Sequence, residues 1–254
     1  MTLAEAFCIG GREVISLVGG GGKTTLLYAL GRELTAPGSG VILTTTTKIR
    51  EPAPSPFLPR FISHDLDAIK RWVRKNLERR QPLLIARARL SDSKLEGILP
   101  GWLEEIAAVS GGRHIVNEAD GSAGRPLKAP RPGEPVVPGN TTLLVPVIGI
   151  DGMGCPLAEE TVFRSAIAAR LLGLPLGGRV TEEAIARLMM ASVGAGPAGA
   201  RIVPLVNKVD IPGGLEKARR LARCLLAADP LRIRRVVLGQ LQRLPAVREV
   251  LEER

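Results

Sequence analysis

A lysine and two threonines directly after four glycines, Gly19-Gly20-Gly21-Gly22-Lys23-Thr24-Thr25, are the residues of this chain best suited to chemistry. Glycines let the backbone curl so that successive N–H groups point inward at phosphate oxygens. A helix starting there adds the positive end of its dipole. Lys23 can reach the β- and γ-phosphates as a point charge, and Thr24 can offer its hydroxyl to Mg2+. The apolar run Val14–Val18 precedes the glycines and Leu26–Leu30 follows, so the order reads strand, phosphate loop, helix. The loop departs from the commonest spacing, because the position five residues before Gly22 is Leu17 rather than glycine. A plain turn needs only one or two glycines, and four lose much entropy on folding, so the run is expected to hold phosphate.

Two carboxylates follow another apolar run in His114-Ile115-Val116-Asn117-Glu118-Ala119-Asp120-Gly121. A Mg2+–triphosphate complex needs a hard oxygen ligand opposite the phosphate loop. Glu118 and Asp120 lie two apart and share a face if the strand continues, so with Thr24 they are the expected metal ligands. The plainer alternative is an exposed Asp-Gly turn. Residues 122–135 are proline-rich and basic, and Arg125 and Lys128 are candidates to contact the γ-phosphate or an anionic substrate. Lys23, Asp120 and Lys128 form the expected catalytic set. Thr46 and Thr47, with Lys48 behind them, are either strand residues or further ligands for Mg2+ or its waters.

The second nucleotide signal is Asn207-Lys208-Val209-Asp210 at the end of the apolar run Arg201–Val206. An aspartate here can accept from N1–H and the exocyclic amine of guanine, a pattern adenine cannot offer. Asn207 would tie the loop to the base or to the phosphate loop, and the Lys208 stem would pack along the ring. The Gly239-Gln240 loop is expected to reach the same side.

Strands are expected near residues 14, 41, 61, 83, 114, 143, 202 and 235, with Pro146 marking an irregularity in one of them. Helices are expected after the phosphate loop, behind Asp65, over 102–109, 159–172, 181–190 and 215–227, and in the charged stretch ending at Arg254. Turn clusters lie at Ala36–Gly40 and Gly194–Gly199. The fold class is therefore α/β, a P-loop NTPase-like doubly wound, mostly parallel sheet with helices on both faces. One domain spans 1–254, with a Pro-rich loop at 51–60 and a small insertion around 79–110.

The totals narrow the function. A chain of 254 residues with 45% hydrophobic residues can build a substantial core. The net charge of +10 invites a nucleic-acid reading, but aromatics are only 3%, so stacking platforms are scarce and solvated helix faces explain the arginines. Cys8, Cys155 and Cys224 are odd in number and form no CxxC pair, which suits a reducing compartment. No apolar run is long enough to span a membrane and the first residues do not read as a secretory signal, so a cytoplasmic location is expected. His64 and His114 are the only histidines and suggest no catalytic dyad or triad.

Together, "LVGGGGKTTL", "TTTTKI", "NEADGSAGRPLKAP" and "PLVNKVD" resemble the selenium-dependent hydroxylase accessory protein family (YqeC-like), over nearly the whole chain. The resemblance implies a cytoplasmic P-loop protein assisting maturation of selenium-containing molybdenum hydroxylases, with the client metalloenzyme or its cofactor as partner. Gly22, Lys23, Thr24, Asp120, Lys128 and Asp210 fall on its motif positions. The leading expectation is Mg2+-dependent hydrolysis of a nucleotide, GTP ahead of ATP. A small-molecule kinase or ligase, with Asp120 or Asp151 activating an acceptor, is the alternative enzyme. A nucleotide-gated module without turnover is the non-enzymatic one.

Overall fold

The computed structural model describes residues 1–35, 40–194 and 196–253. Residues 36–39 of the expected Ala36–Gly40 turn and one residue of the 194–199 linker lie outside them. The main sheet runs in the order 247–252, 235–239, 205–207, 143–149, 14–19, 114–118, 41–45, 83–86, 60–62, all parallel except the first strand. Val14–Gly19 is central, flanked by Leu143–Gly149 and His114–Glu118.

Alternation along these strands sorts the core into two layers. Ile15, Leu17, Val145, Val147, Val116 and Leu43 face the helix Lys23–Glu33, which buries Leu26, Leu27 and Leu30 against them. Val18, Leu144, Ile148, Val206 and Val236 face the helices Ser165–Leu172, Glu182–Val193 and Gly214–Ala228 on the other side. There Val14, Ile42, Ile85 and Ile115 meet the helices Leu66–Lys75 and Trp102–Val109. Helices therefore cover both faces, and the carboxyl ends of the parallel strands converge on one edge, where such folds carry their sites.

Pro146 stays inside its strand. Its neighbour is split into Arg201–Ile202 and Leu205–Asn207, and the break at Val203-Pro204 lies opposite Val145-Pro146, so the donor that Pro146 lacks faces a gap in the ladder.

Two expectations are corrected. The charged C-terminus is the strand Val247–Glu252, antiparallel to Arg235–Gly239, rather than a helix. Val247 is buried against the core while Arg219 pairs with Glu249 at 2.9 Å and Arg235 with Glu252, so the charges serve cross-strand and helix contacts. The helix expected from Glu159 starts at Ser165. Glu159 caps it from outside, accepting from the amides of Arg164 and Ser165 at 2.9 Å each. Residues 79–110 divide between the two sheets. Leu83–Ala86 belongs to the main sheet, and only 88–96 turn away, joining Lys48–Arg50 in a three-stranded antiparallel sheet. That sheet takes up Lys48 and Arg50, so the threonine strand ends at Thr45.

Candidate functional site

The glycine loop is packed tightly between neighbouring backbones. A Cβ at Gly20 would sit 2.7 Å from Arg125 O, and one at Gly21, where φ is +82°, would overlap the backbone of Gly149. Gly19 and Gly22 are equally crowded, by Val147 O and the Asn207 amide. Three loop amides are used internally: Gly19 N–H donates to Asp120, Gly20 N–H to Val147 O and Gly21 N–H to Arg125 O. The amides of Gly22, Lys23, Thr24 and Thr25 have no hydrogen-bond acceptor among the described residues, because the helix's first internal bond is Leu26 N–H to Gly22 O and no side chain caps it. These four donors open onto the cleft, and they suit an anion.

The two carboxylates after Val116 divide their work. Glu118 accepts from the Thr24 hydroxyl at 2.8 Å and lies 4.0 Å from the Lys23 ammonium. Burial pushes its carboxyl above the usual range, against the pull of Lys23 and the Thr24 hydrogen bond. Asp120 is 3.1 Å from Lys23 and accepts from Lys128 at 2.7 Å and from Gly19 N–H at 3.1 Å. Its carboxylate is thus enclosed by two buried ammonium groups and an amide. Lys23 itself folds back on the loop and donates to Gly19 O.

Lys128 lies on a short strand, Leu127–Lys128, and its side chain is 1% exposed, so it serves Asp120 and Glu134, 3.4 Å away, rather than the open cleft. Arg125, the other basic candidate, donates to Glu159 O. Glu134 is also bound by Arg164 and Arg131. Burial raises its carboxyl, but the hydrogen bonds from Arg164 and Arg131, with Lys128 beside them, outweigh this and hold it at about 2 against an ordinary 4.5. A depressed acid stabilises the fold fully above its unfolded value and loses that contribution as pH falls toward the folded one. Glu134→Gln is therefore expected to flatten the loss of stability between about pH 4.5 and about pH 2, read by urea unfolding at several pH values. Parallel declines in the two proteins would show that this carboxylate is not the coupled group.

Asn207 joins the loop after the central strands to the glycine loop. Its amide donates to Gly21 O at 2.8 Å and accepts from Leu241 N–H at 3.1 Å. Lys208 takes a left-handed backbone, φ +67°, unusual for a side chain of its size, and its ammonium meets Asp151 at 2.6 Å. Asp210 faces Arg243 at 3.2 Å. Gln240, Leu241 and Gln242 line the cleft beside them, as the loop after Gly239 was expected to do.

One cleft of about 800 Å3 takes in Gly21–Thr25, Glu118, Gly121–Gly124, Asn207, Lys208 and Asp210, and reaches Lys48, Arg50 and Lys94. The volume lies in the range of small-molecule sites. Thr46 and Thr47 do not line it; the Thr46 hydroxyl is buried and unpartnered, and Thr47 N–H donates to Thr45. Among the described residues no three His, Cys, Asp or Glu side chains are grouped to hold a metal ion by themselves. The Thr24–Glu118 pair fits a hard cation that draws its other ligands from phosphate and water. Sequence reasoning missed Glu134, Glu159, Arg164 and Arg243, whose partners are brought together only by the fold.

A protein-family model described as YqeC protein matches residues 15–166, a span holding the glycine loop, Glu118, Asp120 and Lys128 but ending before Asn207. The uncharacterized protein YqeC of Escherichia coli (strain K12) is 29% identical over 250 residues, covering 92% of this chain and 90% of that protein. Among the described residues no helix is long and apolar enough to cross a membrane. With its glycine loop and acidic strand end inside the matched span, the chain belongs to the YqeC family.

Proposed function

We propose that this protein binds and hydrolyses a nucleoside triphosphate with Mg2+, GTP in preference to ATP, in the cytoplasm. The observation that carries the reading is the set of unsatisfied amides from Gly22 to Thr25, open to a cleft that also holds the Thr24–Glu118 pair and Asp210. The amides receive the phosphates, and Lys23 exchanges Asp120 and Gly19 O for phosphoryl oxygens, where it stabilises the charge that develops in transfer. Thr24 and Glu118 hold Mg2+, which supplies neutralising charge to the phosphates when bound. Asp120, still bound by Lys128, keeps the Gly19 amide in place. Following the family resemblance, hydrolysis is coupled to maturation of a molybdenum hydroxylase client or its cofactor.

GTP is expected to bind at least tenfold more tightly than ATP in the presence of Mg2+. Asp210→Ala is expected to remove that preference while leaving ATP affinity within a factor of two. Equal binding of both nucleotides to the unaltered protein would reassign Asn207-Lys208-Val209-Asp210 to holding the glycine loop alone. A phosphoryl-transfer enzyme with a second substrate is the alternative, and the far wall of the cleft favours considering it.

A further inference from the structure

The cleft has a basic wall that hydrolysis alone does not use. The strands Lys48–Arg50 and Lys94–Glu96 pair antiparallel, with Arg50 directly opposite Lys94 and Lys48 opposite Glu96. Ile49 and Leu95 point into the core, so by alternation Lys48, Arg50 and Lys94 project outward, all three exposed and lining the cleft.

Two of the nearby carboxylates, Glu96 and Glu51, are committed elsewhere. Glu96, across from Lys48, pairs with Arg87 at 2.6 Å. Glu51, next to Arg50, is held by Arg60 at 2.8 Å and Arg89 at 2.7 Å. Lys94 has only the exposed Asp92, a pairing worth little in water. Lys48 and Arg50 form no ion pair or side-chain hydrogen bond among the described residues. Two cations directly opposite on an antiparallel pair repel and destabilise it. Breaks in local rules of this kind are expected at functional or strained sites.

The order of strands gives this wall its place relative to the nucleotide. Asn207 ends the strand two places from the central strand on one side, and Thr45 ends the strand two places away on the other. With strands about 4.8 Å apart, the two ends lie on the order of 10 Å to either side of the glycine loop. A nucleotide with its base toward Asp210 and its phosphates at Gly22–Thr25 therefore points its terminal phosphate toward Lys48 and Arg50. We infer that Lys48, Arg50 and Lys94 form a subsite for a second substrate, a phosphorylated small molecule presented to the phosphate end of the bound nucleotide. This rests on the nucleotide reading above. Arg125 and Lys128, the acceptor-binding candidates of the sequence, are engaged by Glu159 O and by Asp120, and these exposed cations stand in their stead.

The test fills the glycine loop first. Protein saturated with Mg2+ and a non-hydrolysable GTP analogue is titrated with pyrophosphate by calorimetry, with Lys48→Gln/Arg50→Gln in parallel. Both changes are on exposed side chains, and thermal unfolding verifies that the variant is folded. One further pyrophosphate site per chain is expected, weakened at least tenfold in the variant, while affinity for the analogue stays within a factor of two. No pyrophosphate binding to the loaded protein, or equal binding to both proteins, would overturn the subsite with the nucleotide reading intact. Failure of the analogue to bind, seen before pyrophosphate is added, would overturn both. A single-stranded oligonucleotide displacing pyrophosphate through the same two residues would make the wall a nucleic-acid surface instead.

Discussion

Asp120→Ala is expected to lower the free energy of unfolding by about 3–5 kcal/mol, the cost of removing one partner from a buried ion pair. The Asp120 side chain is 3% exposed and stands between the ammonium groups of Lys23 and Lys128, at 2% and 1%. Its removal leaves two cations out of water, and the Gly19 amide loses its acceptor. Lys23 would retain Glu118 only at 4.0 Å, and burial already raises that carboxyl toward its neutral form. Lys128 would retain Glu134 at 3.4 Å, itself shared with two arginines. Total stabilities are about 5–15 kcal/mol, so the variant sits near the edge of folding. Lys128→Met should cost much less, because Asp120 still faces Lys23 and Gly19 N–H. The double variant Asp120→Ala/Lys128→Met should regain a substantial part of the loss, because one stranded charge is gone. Urea unfolding of the three proteins reads this directly. A loss below about 1 kcal/mol in Asp120→Ala would mean that the carboxylate does not hold the two lysines.

The sheet was legible because its signals are local and repeated. Apolar β-branched runs end in glycine or polar clusters, and helix starts such as Asp65 and Thr181 stand at the expected places, accepting from Ala68 and Ala184. Val247–Glu252 was not legible as a strand. Six residues carrying three charges read equally well as a solvated helix, and only the open edge of Arg235–Gly239 decides between them. The glycine run was found for an incomplete reason. Phosphate binding is not needed to explain four glycines, since Val147, Arg125, Gly149 and Asn207 each exclude a Cβ. What bears on a ligand is the four unused amides that begin at Gly22. Glu118 and Asp120 were read together because they lie two apart, yet their roles differ. Glu118 meets the Thr24 hydroxyl, whereas Asp120 meets Lys128, a neighbour that folding brings back through the short Leu127–Lys128 strand. Lys128 read as a substrate ligand because a lysine in a proline-rich loop is ordinarily exposed.

Lys23→Ala should separate binding from stability in the opposite sense to Asp120→Ala. Without Lys23, Asp120 keeps Lys128 at 2.7 Å and the Gly19 amide, so no buried charge is stranded there. Glu118 loses a cation 4.0 Å away but keeps the Thr24 hydroxyl and can take up a proton, a form that burial already favours. The expected change in unfolding free energy is therefore small, on the order of 1 kcal/mol. Nucleotide affinity should fall at least about 100-fold, equivalent to about 2.7 kcal/mol, because the buried ammonium of Lys23 stands on the helix that carries the open amides. Titration with a fluorescent nucleotide, alongside thermal unfolding of the same sample, measures both quantities. The pair of variants is informative because their effects cross: loss of the anion should unfold the site, and loss of the cation should leave it folded and unable to hold phosphate. Unchanged nucleotide binding in a folded Lys23→Ala protein would remove Lys23 from the phosphate site and leave it only the internal role of bridging Gly19 O and Asp120.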